Sequence, residues 1–285
     1  MIYILLPVFN RRDITIAFVR QLLDQTYSQF HLVLIDDAST DGTVEAADEM
    51  ITELTIINGD GNSWWGGSLQ LGYDWILRQD FIKNEDIVLI INDDTKFENI
   101  FLQKGAEFLD KHPDHLIKAV EIELNDPSLS YSYIHADVNK LTFKITPSEA
   151  EANCCTTRGL FMKAEVFKKI GGFYPDLLPH YLSDYEYTIR AHNKGFRIKS
   201  SSDLFLYYDN STTGHNSLSF DSFSQYGSQL FSYKYVKNPK HWINFIKLTS
   251  ASPITRYKNI LVLVLQTFKN FIVDVLLSYK RRFHK

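Results

Sequence analysis

Apolar positions come in short blocks through the first 110 residues, and the spacing inside each block alternates between two kinds. Residues 2–6 are an unbroken aliphatic and aromatic run, a strand broken by Pro7. Ile14, Ala17, Phe18 and Leu22 recur at steps of three and four, which predicts a helix over 14–23. Strands follow at 32–35, 54–57 and 87–91, with helices at 43–50, 67–77 and 100–109. Strands separated by helical crossovers imply a mostly parallel sheet that binds ligands beyond its strand C-termini. The run 87–91 is β-branched and has no alternation, so it reads as a strand buried on both faces.

From Leu116 the texture changes. Segments 117–124, 131–135 and 141–145 predict strands joined by polar turns, an antiparallel or mixed extension of the same sheet. Short helices are expected at 164–170, ending at Gly171 and Gly172, and at 184–193, stopped by Gly195. Strands are expected at 197–200 and 204–208. Beyond Ser219 the chain reads as helical, closing with an apolar-rich segment from 258 to 279. The fold class is α/β.

Composition narrows the field modestly. At 285 residues the chain can bury a large core, and 45% hydrophobic with 22% charged content is that of a folded protein. A net charge of −4 offers no global basic field, so nucleic acid is not an expected partner. Cys154 and Cys155 are adjacent and have no metal-binding spacing, which suggests reduced thiols in a cytoplasmic chain. Residues 1–6 lack the basic start of a signal peptide.

Chemistry concentrates at two strand ends. The strand at 87–91 runs into Asn92, Asp93 and Asp94, where crowded carboxylates need a positive partner. A hard divalent cation, Mg²⁺ or Mn²⁺, holding phosphate oxygens answers that need; a solvated turn is the plainer reading. The strand at 32–35 runs into Asp36, Asp37, Ala38, Ser39, Thr40, Asp41 and Gly42. A carboxylate there can accept hydrogen bonds from a base imide or ribose hydroxyls. Asp41 is read as capping the helix that follows, and Asp36 and Asp37 are not.

These motifs resemble the nucleotide-sugar half of family 2 glycosyltransferases. Pro7-Val8-Phe9-Asn10, the Asp36–Gly42 segment and Asn92-Asp93-Asp94-Thr95 carry the likeness. Gly59 to Gly67 is similar to the family's glycine-rich loop, with Trp64 and Trp65 as a donor platform or as packing. Gly159-Leu160-Phe161-Met162 and Gly171-Gly172-Phe173 resemble its acceptor-side segments, and Ser183-Asp184-Tyr185-Glu186 with Arg190 its catalytic acidic motif. The resemblance spans about residues 1–215 and implies a three-layer GT-A fold of 1–218, in donor (1–112) and acceptor (113–218) halves, plus a helical extension at 219–285.

The function implied is inverting transfer of a sugar from a UDP- or dTDP-sugar to a saccharide or lipid-linked acceptor, in bacterial surface-polysaccharide assembly. The resemblance assigns Asp184 as general base. It places the nucleotide-sugar at Pro7, Phe9, Asn10, Asp36, Asp37, Asn62, Trp65, Gly67, Asn92 and Asp93. Gly159, His180 and Tyr181 take the acceptor, and Asp94 and His215 the metal. The chain departs from the family in carrying Asn92 where an acidic residue is usual, and Ser183 where a Glu commonly precedes the base. Arg190 is expected to pair with Glu186 at i,i+4. A sugar-phosphate nucleotidyltransferase lacks support, since no glycine- and basic-rich loop follows the first strand. A catalytically silent sugar-binding subunit with the same fold is the alternative from another class.

The last segment has its own pattern. Leu261, Val264, Leu265, Phe268, Ile272, Val275 and Leu276 fall on one helical face, while Gln266, Lys269, Asn270 and Asp274 interrupt any span. Lys258, Lys280, Arg281, Arg282 and Lys285 flank it. The stripe predicts a helix lying on the inner face of the cytoplasmic membrane, or else packed on the catalytic domain or on a second subunit in a homodimer.

Overall fold

The computed structural model describes residues 1–128, 130–209 and 223–283. The chain opens with four βα-type steps: β1 (Ile2–Val8), α1 (Arg12–Leu23), β2 (Phe30–Asp36), α2 (Thr43–Asp48), β3 (Leu54–Asn58), α3 (Trp64–Arg78), β4 (Ile87–Ile90), the short β5 (Thr95–Lys96) and α4 (Phe101–Lys111). Then come β6 (His115–Lys118), β7 (Val120–Glu123), β8 (Ser130–Tyr131), β9 (Tyr133–Asp137), β10 (Thr142–Thr146), β11 (Leu160–Lys163), α5 (Ala164–Ile170), α6 (Ser183–Asn193), β12 (Arg197–Lys199) and β13 (Phe205–Tyr208). Three helices follow: α7 (Phe223–Leu230), α8 (Pro239–Thr249) and α9 (Pro253–Phe283).

The main sheet has seven strands in the order β12-β6-β11-β4-β1-β2-β3. β1 pairs in parallel with β2 and β4, and β2 with β3; β11 alone runs against its neighbours β4 and β6. One face buries Ile4, Leu6, Leu34 and Leu89 against Phe18 and Leu22 of α1 and Leu102 and Leu109 of α4. The other buries Leu5, Val33 and Ile90 against Leu69 and Ile76 of α3, Phe167 of α5 and Tyr187 of α6. Burial on both faces explains why these strands read as continuous apolar runs. A second sheet, β5-β13-β7-β8, and the hairpin β9–β10 are separate from the main sheet rather than an extension of it.

The structure corrects several expected boundaries. Pro7 does not break β1: Leu5 O accepts from Ile91 N, so the odd residues of β1 face β4, and β4 ends before Pro7 needs a donor. The expected strand 117–124 is two strands in two sheets, split at Ala119, whose N–H leaves the ladder for Gly159 O. The expected strand 131–135 divides likewise into β8 and β9. Helix α3 begins at Trp64 rather than Gly67, and residues 160–163, which the sequence marks only as a motif, form the strand β11. Among the described residues, no helix is long and apolar enough to cross a membrane.

Candidate active site

The ends of β1, β2 and β4 are adjacent, so the loops after them share one edge. Asn10 joins two of these loops: its Oδ1 accepts from Thr40 N at 2.8 Å, and its own N–H donates to Ser39 Oγ at 2.8 Å. Phe9 beside it is 51% exposed, while Pro7 lies inside the sheet. Asp41 caps α2 as expected, accepting from Thr43 N at 3.1 Å and from Thr43 Oγ1. Asp36 and Asp37 then part company. Asp37, against expectation, does a capping job: Oδ1 accepts from Gly61 N and Ser63 N, and Oδ2 from Trp64 N, at 2.9–3.0 Å. Those amides form the loop entering α3, so Asp37 shapes the loop. Asp36 Oδ2 accepts from Ser39 N at 2.9 Å, but Oδ1 is buried with no partner. Asn62 is exposed at the tip of that loop.

The acidic triplet already holds a cation, and it belongs to the chain. Arg11 reaches Asp93 Oδ1 at 3.0 Å and Asp94 Oδ2 at 3.2 Å, and Thr15 Oγ1 donates to Asp93 Oδ2 at 3.1 Å. Both oxygens of Asp93 are therefore occupied. Burial pushes its carboxyl up to about 6, against the pull of Arg11. Asp94 Oδ1 is buried and unpartnered. Asn92 is half-buried, and its backbone carbonyl accepts from Thr95 Oγ1 at 2.8 Å. No group of three metal-ligating side chains occurs among the described residues. A divalent ion here would thus have Asp94 Oδ1 as its protein ligand and fill its other positions from phosphate and water, an arrangement Mg²⁺ and Mn²⁺ accept. His215 lies outside the described residues.

Asp184 sits in the first turn of α6, behind Leu182, which is held at a left-handed φ of 70°. Its Oδ1 accepts from Tyr185 N at 2.9 Å. Burial pushes this carboxyl up to about 6. Beneath it runs an ionic network that sequence reasoning missed. Glu121 is fully buried and meets Lys118 Nζ at 2.7 Å and Arg158 Nη1 at 2.7 Å, with Thr156 and Tyr131 hydroxyls also donating to it. Burial opposes its charge, yet the two cations hold its carboxyl below the usual range. The field of Arg158 reaches Asp184 on one side and Asp94 on the other, so it links the two acidic centres. A Lys and a Glu inside the apolar run 115–123 were the available signal. Buried charges need partners.

An aromatic wall continues from Asp184. His180 packs at a tilt on Tyr181, with ring centroids 4.3 Å apart, and on Trp64 at 5.5 Å, and Trp64 meets Tyr233 edge-on at 5.4 Å. Burial pushes His180 down to about 4, and its Nδ1 is buried without a partner. Trp65, by contrast, packs on the sheet core, so Trp64 is the tryptophan facing the site. Gly66 allows a close approach: its N–H donates to Pro179 O at 2.7 Å, and a Cβ there would lie 2.5 Å from Leu178 O. Gly67 is buried beside it in α3. Gly159 is buried at a φ of 71° against Leu206, inside the fold rather than on a surface that could meet an acceptor. Arg190 has the expected structural role, binding Glu186 Oε1 at 2.8 Å and the carbonyls of Ile170 and Gly172 at 2.7 Å. Both cysteines are free and buried.

Unpaired carboxylate oxygens at the exits of β2 and β4, on either side of β1, together with a buried aspartate in the first turn of α6, fit a group-transfer enzyme of the α/β class. Residues 3–171 match glycosyl transferase family 2. The chain belongs to that family and is a glycosyltransferase with the GT-A fold. Two solved structures show the same fold. The Pyrobaculum calidifontis mannosyltransferase PcManGT, in complex with GDP-Man and Mn²⁺, has 15% identity and a TM-score of 0.57 over 92% of this chain and 68% of its own. S. aureus TarS 1–349 in complex with UDP-GlcNAc has 14% identity and a TM-score of 0.59 over 94% of this chain and 72% of its own. No curated protein matches the sequence.

Proposed function

We propose that this glycosyltransferase moves a sugar, with inversion, from a nucleoside diphosphate sugar to a hydroxyl of a saccharide or lipid-linked saccharide. UDP- and dTDP-sugars are the preferred donors. The observation that carries this reading is the pair of buried, unpartnered oxygens Asp36 Oδ1 and Asp94 Oδ1 at the exits of β2 and β4. Buried polar atoms of this kind cost free energy unless a ligand completes them. Asp36 suits a pyrimidine imide or a ribose hydroxyl. The bound donors of PcManGT and TarS, and the Mn²⁺ of the former, support the same reading.

In the reaction, Asp184 takes the proton of the acceptor hydroxyl as its oxygen attacks the anomeric carbon. The bond from that carbon to the diphosphate breaks, and the nucleoside diphosphate leaves with the electron pair. A divalent cation held at Asp94 would supply charge neutralisation to the diphosphate. Arg11 and Arg158 add fixed positive charge on the same side. His180, kept neutral by burial, offers a hydrogen-bonding nitrogen beside the aromatic wall, which suits a sugar face. Bacterial polysaccharide assembly at the inner face of the membrane is the proposed setting, with α9 as the membrane-facing element.

Two variants test the site. Asp184→Asn should abolish transfer and leave donor affinity nearly unchanged, because an amide keeps the shape but takes no proton. Asp94→Ala should weaken donor binding and remove its response to Mn²⁺, with Asn92→Ala doing less. Calorimetry with and without chelator decides: metal-dependent, full-strength binding by Asp94→Ala overturns the metal assignment, and retained turnover by Asp184→Asn overturns the base.

A further inference from the structure

The three C-terminal helices enclose a groove of about 650 Å³ that the donor chemistry does not use. Leu230 of α7, Ile243 of α8 and Val264 and Phe268 of α9 line it, and the rings of Tyr226 and Phe271 meet within it at 5.2 Å. Val264 is 50% exposed and Phe268 62%. An open apolar groove of this size is in the range of ligand sites, about 300–1,000 Å³. Lys240 and Lys247, two turns apart on α8 and both exposed, also line it.

Charge narrows the occupant. Residues 239–285 hold nine Lys or Arg and a single Asp, while the chain as a whole is at −4. A second copy would set one strongly basic face against another, which disfavours self-association. An anionic amphiphile satisfies both the apolar wall and the lysines. The groove also communicates with the catalytic side. Asn244, another lining residue, is buried and donates to Leu177 O at 3.0 Å, on the segment that leads through His180 to Asp184.

We propose that this groove binds the hydrocarbon chain of a phosphate-bearing lipid, with Lys240 and Lys247 meeting the phosphate, and so seats the lipid end of the acceptor. The proposal rests on the reading that the acceptor is lipid-linked. It makes the α7–α8–α9 extension a substrate-binding part of the enzyme. It also requires binding to be selective both for chain length and for charge.

Calorimetry of the full chain with hexyl, octyl and decyl phosphate, each below its micelle concentration, tests this directly, with octanol as the neutral control. Affinity should rise about fourfold per methylene until the groove is filled. Val264→Trp, at an exposed position that leaves folding intact, should cut decyl phosphate affinity about tenfold and spare hexyl phosphate. Lys240→Gln with Lys247→Gln should remove most of the preference for octyl phosphate over octanol. Nucleotide-sugar binding should be unchanged in both variants, so a failure of the groove is distinguishable from a failure of the donor reading. Affinity independent of chain length, wild-type decyl phosphate binding by Val264→Trp, or binding only to anionic vesicles would overturn the proposal. So would a dimer that Val264→Trp dissociates.

Discussion

Asp184 carries two demands that conflict. As the proposed base it must be ionised, yet burial raises its carboxyl to about 6. Activity should therefore fall about tenfold per pH unit below roughly 6, and kcat/KM against pH reads this limb. The same shift bears on stability. A carboxyl whose folded pKa lies above its unfolded value of 3.8 is best tolerated below that value, and its contribution is lost as pH rises towards 6. Asp184→Asn should consequently be more stable than the parent above pH 6, by at most about 3 kcal/mol, and indistinguishable from it below pH 4. Thermal denaturation at the two pH values checks the sign. A destabilised variant at pH 7.5 would mean that the charged form has a partner in the fold.

Among elements, the start of α3 is the tightest joint. Trp64 adopts a left-handed φ of 54°, Asp37 collects the amides before it, and Gly66 touches the Leu178–Pro179 backbone. Gly66→Ala should cost about 1–3 kcal/mol and displace His180, because the obstruction is main chain and cannot rotate away. Gly227 in α7 meets nothing within 4 Å, so Gly227→Ala should stabilise by up to about 1 kcal/mol. Chemical denaturation of the two variants makes the comparison. The helical and parallel-strand elements were legible because each buries an apolar face wide enough to set a period. β11 was not, since Leu160, Phe161 and Met162 are too short a run to show one. The acids after β2 and β4 were legible as strand-end clusters. Arg11 was not, because its bond to Asp94 spans 83 residues and depends on β1 lying beside β4, which sequence order conceals. Trp64 and Trp65 were separable only once their helical phase was known.

At the scale of the molecule, charge is segregated. The first 238 residues carry 21 basic and 33 acidic side chains, and the remaining 47 carry nine basic and one acidic. A basic C-terminal segment on an otherwise acidic chain would steer the protein towards an anionic surface with that segment foremost, in line with the proposed membrane setting. The expected stripe on α9 is in part solvent-facing: Leu261, Val264, Leu265 and Phe268 are 50–62% exposed, although Asn259 is buried and anchors the helix to Val138 O at 2.8 Å. The side chains of Val275 and Leu276 lie outside the described residues. Replacing exposed Lys258 and Lys269 by Gln should weaken co-sedimentation with anionic vesicles by roughly thirtyfold, at about 1 kcal/mol per charge near the surface. Binding to neutral vesicles should not change. Equal binding of parent and variant to anionic vesicles would count against the membrane role.

The Arg11 bridge has a consequence for the order of events. A guanidinium resting on Asp94 Oδ2 would compete electrostatically with an arriving divalent ion, so the ion alone would find a partly neutralised carboxylate. A diphosphate relieves the contest, since it accepts the guanidinium and chelates the ion together. Ion and nucleotide should then bind with positive, reciprocal coupling, typically about 5–150-fold. Titrating Mn²⁺ into the protein with and without nucleoside diphosphate measures it. In Arg11→Met the coupling should collapse, with Mn²⁺ alone binding more tightly than to the parent; on the proposed metal assignment, the arginine would keep the empty enzyme from collecting metal it has no donor to use with.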